Sequence, residues 1–244
     1  MGRPRVRAVF TAVRTAVLAA VTVSLVAALF TPTAVALPDP KAGDTPKALA
    51  VIPDLRPIYR VRTKDPVVFI TIDDGVFKSA RARELVERRE VPITSFLTAW
   101  TVQDRSRYFS RVSAFGSIQN HSATHASYAK LSTDLDHEIC YTQRKIEKDF
   151  DESAWMMRPP YGMAANSPRV RAVARRCGIE RIVMWDAVVA DGELSYRGSG
   201  LRNGSIILLH YGKDLDKDLR AALKAVRKAG LAPADLAEYL PRLS

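Results

Sequence analysis

Histidine and cysteine are scarce in this 244-residue chain, with four of the first and two of the second. No apolar run reaches the roughly 20 residues that a membrane-spanning helix needs; the longest, 16–30, has 15. No acidic residue stands in 1–36, which instead carries Arg3, Arg5, Arg7 and Arg14. The basic start, the short apolar run, the break at Thr31-Pro32-Thr33 and the small residues Ala34-Val35-Ala36 describe a secretory signal peptide over 1–36. With no Arg-Arg pair in it, the general secretory route is expected rather than the twin-arginine one. The competing reading is an uncleaved anchor, since Thr22 and Ser24 do not forbid insertion; only then is a membrane a partner. Beyond the leader there is no low-complexity tract, and nowhere an internal repeat. One α/β domain of about 200 residues is therefore the natural expectation.

The formal charge of +11 falls to +7 once the leader is set aside, leaving 33 basic and 26 acidic residues. A basic exported protein suits an anionic polymer such as a cell envelope. The basic residues are scattered rather than striped with aromatics, which argues against nucleic acid. Two cysteines in an exported chain are consistent with one disulfide. Cys140 falls in the helical stretch 133–150, and Cys177 ends the next helix just before Gly178, a C-cap residue. Consecutive helices of an α/β layer are usually neighbours, so a bridge fits; two buried free thiols are the alternative.

Residues 37–65 hold prolines 38, 40, 46, 53 and 57 and form a linker or extended lead-in, whose Ile58-Tyr59-Arg60-Val61 can pair at a sheet edge. From 66 onward apolar strands and helical patterns alternate. Strands are expected at 67–73, 93–97, 117–120, 156–158, 179–185 and 205–210. Helices are expected at 79–90, 106–114, 133–150, 167–177, 215–229 and 233–240. Strands separated by helices of 10–15 residues argue for parallel βαβ units, as an open sheet or a barrel.

The polar signals gather at strand ends. Asp73-Asp74, His121, Arg158, Asp191 and His210 all fall at or just after the C-terminal end of an expected strand, the face on which barrel enzymes build their sites. Two adjacent carboxylates past a buried strand are costly through desolvation and repulsion. His121 and His125, four apart, can direct two imidazoles at one ion if the turn between them is helical. One carboxylate and two imidazoles are the protein ligands of a catalytic zinc site with an open position, and the second carboxylate is then free to act as a base. Each signal has a plain alternative: a solvated Asp-Asp-Gly turn, packing histidines, a surface arginine in a Pro-Pro loop. His137, within Asp136-His137-Glu138 on a polar helix face, is given no role. Arg158 before Pro159-Pro160-Tyr161-Gly162 can hold a carboxylate ionised, and His210 places a proton donor at the rim.

Thr71-Ile72-Asp73-Asp74-Gly75, His121-Ser122-Ala123-Thr124-His125, Arg158-Pro159-Pro160-Tyr161-Gly162 and Leu208-Leu209-His210, in this order, resemble four of the five motifs of the polysaccharide deacetylases (NodB homology, carbohydrate esterase family 4). The resemblance runs from about Val67 to about Leu240, within a single catalytic domain over 66–244. It implies a distorted (β/α) barrel of the NodB-homology type and metal-dependent removal of N-acetyl groups from N-acetylglucosamine polymers, peptidoglycan or chitin-like oligomers. By that resemblance Asp73 matches the catalytic base, Asp74, His121 and His125 the metal ligands, and Arg158 the residue that orients the base. Tyr161 matches a residue whose backbone N–H stabilises the oxyanion, His210 the catalytic acid, and Leu208 the apolar lining for the acetyl methyl. Mixed nitrogen and oxygen ligation favours Zn²⁺, with Co²⁺ or Ni²⁺ able to replace it.

The remaining motif, normally Asp-Trp, departs from the family pattern. Asp191 stands at the usual spacing after Trp185, but Gly192 stands where a tryptophan is expected. Asp191 can hydrogen-bond His210 and raise its pKa; Asp186 is its rival for that role, or either is a loop residue. The short distance from Asp191 to His210 implies a trimmed loop. Two other functions stay open: a hydrolase of another amide on the same fold, and a secreted carbohydrate-binding protein with little turnover.

Overall fold

The computed structural model describes residues 55–102 and 107–243. The expected signal peptide and most of the lead-in lie outside the described residues. No helix among the described residues is long and apolar enough to cross a membrane.

The first strand, β1 (Val67–Asp74), explains the rest of the architecture. Val68, Ile70 and Ile72 face one side and join the helix-covered core, while Phe69, Thr71 and Asp73 face the other. Burial on both faces is what a parallel sheet demands, and β1 reads as a nearly continuous apolar run. β1 pairs in parallel with β2 (Ile93–Leu97) on one side and β8 (Ser205–His210) on the other. Beyond β2 the sheet continues through β3 (Gly116–Asn120), β4 (Met156–Met157) and β5 (Arg181–Ile182). Beyond β8 come β6 (Ala187–Ala190) and β7 (Glu193–Tyr196), and β9 (Ala232–Pro233) pairs with the start of β1.

The sheet curls, because 181–190 pairs with β4 at its start and with β8 at its end. The lead-in closes the gap between. Ile58 bridges Val183 and Arg60 bridges Ser205, with Leu55 and Val61 buried. The result is the distorted (β/α) barrel that the resemblance implies, with the described residues in a single unit. Its interior is filled by Phe69, Phe96, Met156, Val183 and Ile206.

Helices α1 (Ala80–Arg89), α2 (Arg107–Ser113) and α5 (Leu215–Lys228) pack on the outer face against Ile70, Ile72, Leu97 and Ile207. Ser79 caps α1 by accepting from the Ala82 N–H. α3 (Thr142–Phe150), α4 (Pro168–Arg176) and α6 (Leu236–Tyr239) complete the set. Cys140 and Cys177 form a disulfide that ties the turn before α3 to the end of α4.

Three expected elements differ. The helix expected at 133–150 begins at Asp136 with a π-helical stretch, Asp136–Tyr141, before α3. The strand expected at 179–185 is regular only over Arg181–Ile182, with Val183 in a single bridge to Ile58, because its chain then bends across to β8. Within the stretch from Asp191 to His210, expected to be a trimmed loop, Glu193–Tyr196 forms strand β7, antiparallel to β6.

Candidate active site

Successive side chains of a strand point to opposite faces, so Asp73 and Asp74 should diverge. Asp73 follows Phe69 and Thr71 into the interior and is 2% exposed. Asp74 is turned back by a φ of 79°, which brings the second carboxylate to the same place. The turned Asp74 carbonyl accepts from the Thr98 N–H at 3.1 Å and the Thr101 hydroxyl at 2.7 Å. Gly75 follows at φ 97°, and a Cβ there would stand 2.6 Å from Thr101 Oγ1.

The two histidines meet without the helical turn that would have joined them. Ser122 and His125 both have left-handed φ, and the loop is held from inside. Asn120 Oδ1 accepts from the Ser122 N–H, and Ser122 Oγ from the His125 N–H. Glu138, buried, accepts from the N–H groups of Ala123 and Thr124 at 3.0 and 2.9 Å and from the Thr124 hydroxyl at 2.6 Å. Sequence reasoning missed Glu138, Thr98 and Thr101. The only signal for Glu138 is a carboxylate in a segment whose polar residues read as solvated.

His121 Nδ1 lies 2.8 Å from the Arg158 carbonyl, which can only accept, so Nδ1 carries the proton and Nε2 presents a lone pair. That Nε2 is 3.4 Å from Asp74 Oδ1, and His125 Nε2 is 3.3 Å from the same oxygen. Asp74 Oδ1 is buried and no hydrogen bond reaches it. One possible ligand atom from each of Asp74, His121 and His125 thus lies within 4.8 Å of the others. Such a cluster calls for a cation, and its N₂O donor set fits a divalent metal with positions left open. Burial pushes the Asp74 carboxyl up, but His121, His210 and His125 outweigh it and hold it low. Burial likewise pushes His121 down, but Asp73 and Asp74 outweigh it and raise it. His125 is lowered by burial and by the charge of His121. A second cluster, Asp136 with Cys140 and Cys177, is no metal site, since its sulfurs are bonded to each other.

Arg158 is no surface residue; its exposure is 0%. It donates from Nη1 to Asp73 Oδ1 at 2.6 Å, from Nε to the Val183 carbonyl and from Nη2 to the Met184 carbonyl, both at 3.1 Å. The rings of Phe96 and Trp185 lie over its guanidinium at 4.4 and 5.5 Å. The other Asp73 oxygen faces His121 Nε2 at 3.7 Å. Register sets the remaining members, because Asp73 is the Cα partner of His210 and Thr71 that of Leu208. Strand parity therefore puts Asp73, Leu208 and His210 on one face. All three line a pocket of about 330 Å³ with Asp74, His121, His125, Tyr161 and Trp185. Tyr161, at φ 59°, sets its exposed ring edge-on to His125 at 4.5 Å.

Asp191 does not join this group. It and Gly192, at φ 54° and 79°, form the two-residue turn of the β6–β7 hairpin, the conformation that an Asp-Gly pair favours. The Gly192 N–H donates to Asp218 Oδ1 on α5, and the Asp191 charge helps raise the Asp218 carboxyl, after burial. Among the described residues no hydrogen bond or ion pair links Asp191 to His210. Asp186 is spent elsewhere too, accepting from the Ile206 N–H and the Ser205 hydroxyl at the far end of β8.

Residues 60–182 match the model of the polysaccharide deacetylase family. An uncharacterized protein of Streptomyces coelicolor is 35% identical over 192 residues, covering 75% of this chain and 76% of its own. A chitooligosaccharide deacetylase of Sinorhizobium fredii is 29% identical over 170 residues, covering 65% of this chain and 78% of its own. Among solved structures, a family 4 carbohydrate esterase from Bacillus anthracis superposes with a TM-score of 0.63 at 23% identity, covering 76% of this chain and 87% of its own.

Proposed function

Because the chain belongs to the polysaccharide deacetylase family, we propose that it is an exported, metal-dependent hydrolase that removes N-acetyl groups from N-acetylglucosamine-containing glycan, peptidoglycan or chitin-like. Asp74, His121 and His125 hold one divalent cation, with Zn²⁺ the first candidate for an N₂O site and Co²⁺ or Ni²⁺ as substitutes. When bound, the ion supplies Lewis-acid polarisation of the acetamide carbonyl and activates water. Asp73 takes the proton of the attacking water through the oxygen that Arg158 leaves free. Arg158 keeps that carboxylate ionised and oriented. The Tyr161 backbone N–H donates to the developing oxyanion, and Leu208 faces the acetyl methyl. His210, beside Asp73 in register, protonates the departing sugar amine. Export rests on the leader over 1–36.

The observation that carries this reading is the convergence of three possible ligand atoms, from Asp74, His121 and His125, beside a buried carboxylate with one oxygen that Arg158 leaves free. Purified mature protein with Zn²⁺ should release acetate from N-acetylglucosamine oligomers, and a chelator should abolish that release. Asp73→Asn should bind Zn²⁺ as the parent does and release no acetate. Full activity in that variant would remove Asp73 as the base.

One observation favours a second reading, a glycan-binding protein with little turnover: among the described residues no carboxylate makes a hydrogen bond or ion pair with His210. Oligomer binding without acetate release across Zn²⁺, Co²⁺ and Ni²⁺ would establish it.

A further inference from the structure

The pocket over Asp73 is the middle of a longer groove. A neighbouring pocket of about 190 Å³ shares Asp74 and His125 with it, and Trp100, 49% exposed, stands at that end. A second neighbour of about 210 Å³ shares Trp185 and Val188 with it and runs on to Tyr196 and Arg197 at the end of β7. A groove that passes over a reacting centre and continues on both sides suits a chain-like substrate with sugars on either side of the reacting one.

The two ends differ in chemistry. At the hairpin end the Arg197 guanidinium lies 5.4 Å over the ring of Tyr59, in the lead-in segment that closes the barrel. Its backbone is fixed as well, since the Arg197 N–H donates to the Asp186 carbonyl at 2.7 Å and Tyr196 pairs with Ala187. The hairpin itself is pinned to α5 through Gly192 and Asp218. Among the described residues no carboxylate pairs with Arg197. Asp186 lines the same pocket, but its oxygens are engaged by the Ile206 N–H and the Ser205 hydroxyl. An arginine set over an aromatic ring, with no carboxylate partner among the described residues, presents a fork suited to a planar two-oxygen anion.

We propose that this end of the groove is a subsite for a carboxylate-bearing sugar next to the reacting residue, read by Arg197; the substrate is then an acidic glycan. The proposal rests on the deacetylase reading for its activity assay and on nothing but the groove for its binding assay. Oligomers of N-acetylglucosamine whose neighbouring sugar bears an ether-linked carboxylate are compared with their methyl esters, which keep the shape and lose the charge. For the parent protein at low salt, kcat/KM for the free acid should exceed that for the ester about tenfold or more, the scale of a charge-assisted contact. In Arg197→Glu that ratio should collapse to one or below, and Arg197→Lys, which keeps charge without the fork, should fall between. Equal parent rates on acid and ester, or a ratio that survives in Arg197→Glu, would overturn the subsite. If no substrate releases acetate, the deacetylase reading fails instead. Calorimetric Kd values of acid and ester for the parent and Arg197→Glu then decide the subsite by the same ratio.

Discussion

Arg158 holds its charge with no exposure at all, and five groups share the work of keeping it there: Asp73, two main-chain carbonyls and a pair of aromatic faces. Its removal strands the Asp73 charge in the interior. Arg158→Ala should therefore lower the unfolding free energy by about 3–5 kcal/mol, measured in urea, beyond its effect on catalysis. Glu152 shows the opposite electrostatics. Burial pushes its carboxyl above the ordinary 4.5, against the Ile118 N–H and the Ser113 hydroxyl. A group whose pKa is raised on folding stabilises fully below its unfolded value and loses that contribution as pH rises through the folded one. Glu152→Gln, fixed in the neutral form, should thus be the more stable protein at neutral pH. Its advantage in thermal unfolding should disappear as pH falls to 4.5 and below. Neither environment could be read from the residues alone, since an arginine before two prolines and a glutamate before Ser153 both pass for surface groups.

At the scale of elements, β1 and β8 were legible because apolar runs ending in titratable groups are rare outside buried strands, and their register sets Asp73 beside His210. The helix expected over 133–150 was legible in length but not in form. Its π-helical start carries Glu138, which faces inward and clamps the histidine loop. Asp191-Gly192 carries two signals at once, a hairpin turn and the spacing of the family's Asp-Trp motif, and only the first corresponds to the β6–β7 hairpin that forms. As a turn residue, Asp191 should tolerate asparagine, which favours the same conformation. Asp191→Asn should keep kcat/KM within about twofold and leave the pH–rate profile in place. A tenfold loss with a shifted acidic limb would restore Asp191 as the partner of His210.

For the whole molecule, the disulfide Cys140–Cys177 joins positions 37 apart and fastens the π-helical stretch to the end of α4. Closing a loop of that length in the unfolded chain is worth about 3–4 kcal/mol in the chain-entropy account. Reduction should lower the urea midpoint correspondingly; an unchanged midpoint would mean that the unfolded chain keeps those helices together. The barrel is closed by non-local pieces, with Ile58 and Arg60 bridging to Val183 and Ser205. Such pairings over more than a hundred residues leave little local signal.

The sequence by itself determined the alternation of strands and helices, the parallel βαβ units they build, and the identity of the polar residues at the strand ends, because periodicity and composition are local properties. It singled out Asp73, Asp74, His121, His125, Arg158 and His210 without showing how they meet. Only the tertiary structure decided that meeting: the left-handed turn at Asp74, the carbonyl that fixes the His121 proton, and the rings that bury Arg158. It also removed Asp191 from the site and set Arg197 at the groove's end. Those are contacts between segments far apart in the chain, and they follow from how the sheet curls rather than from any one segment's residues.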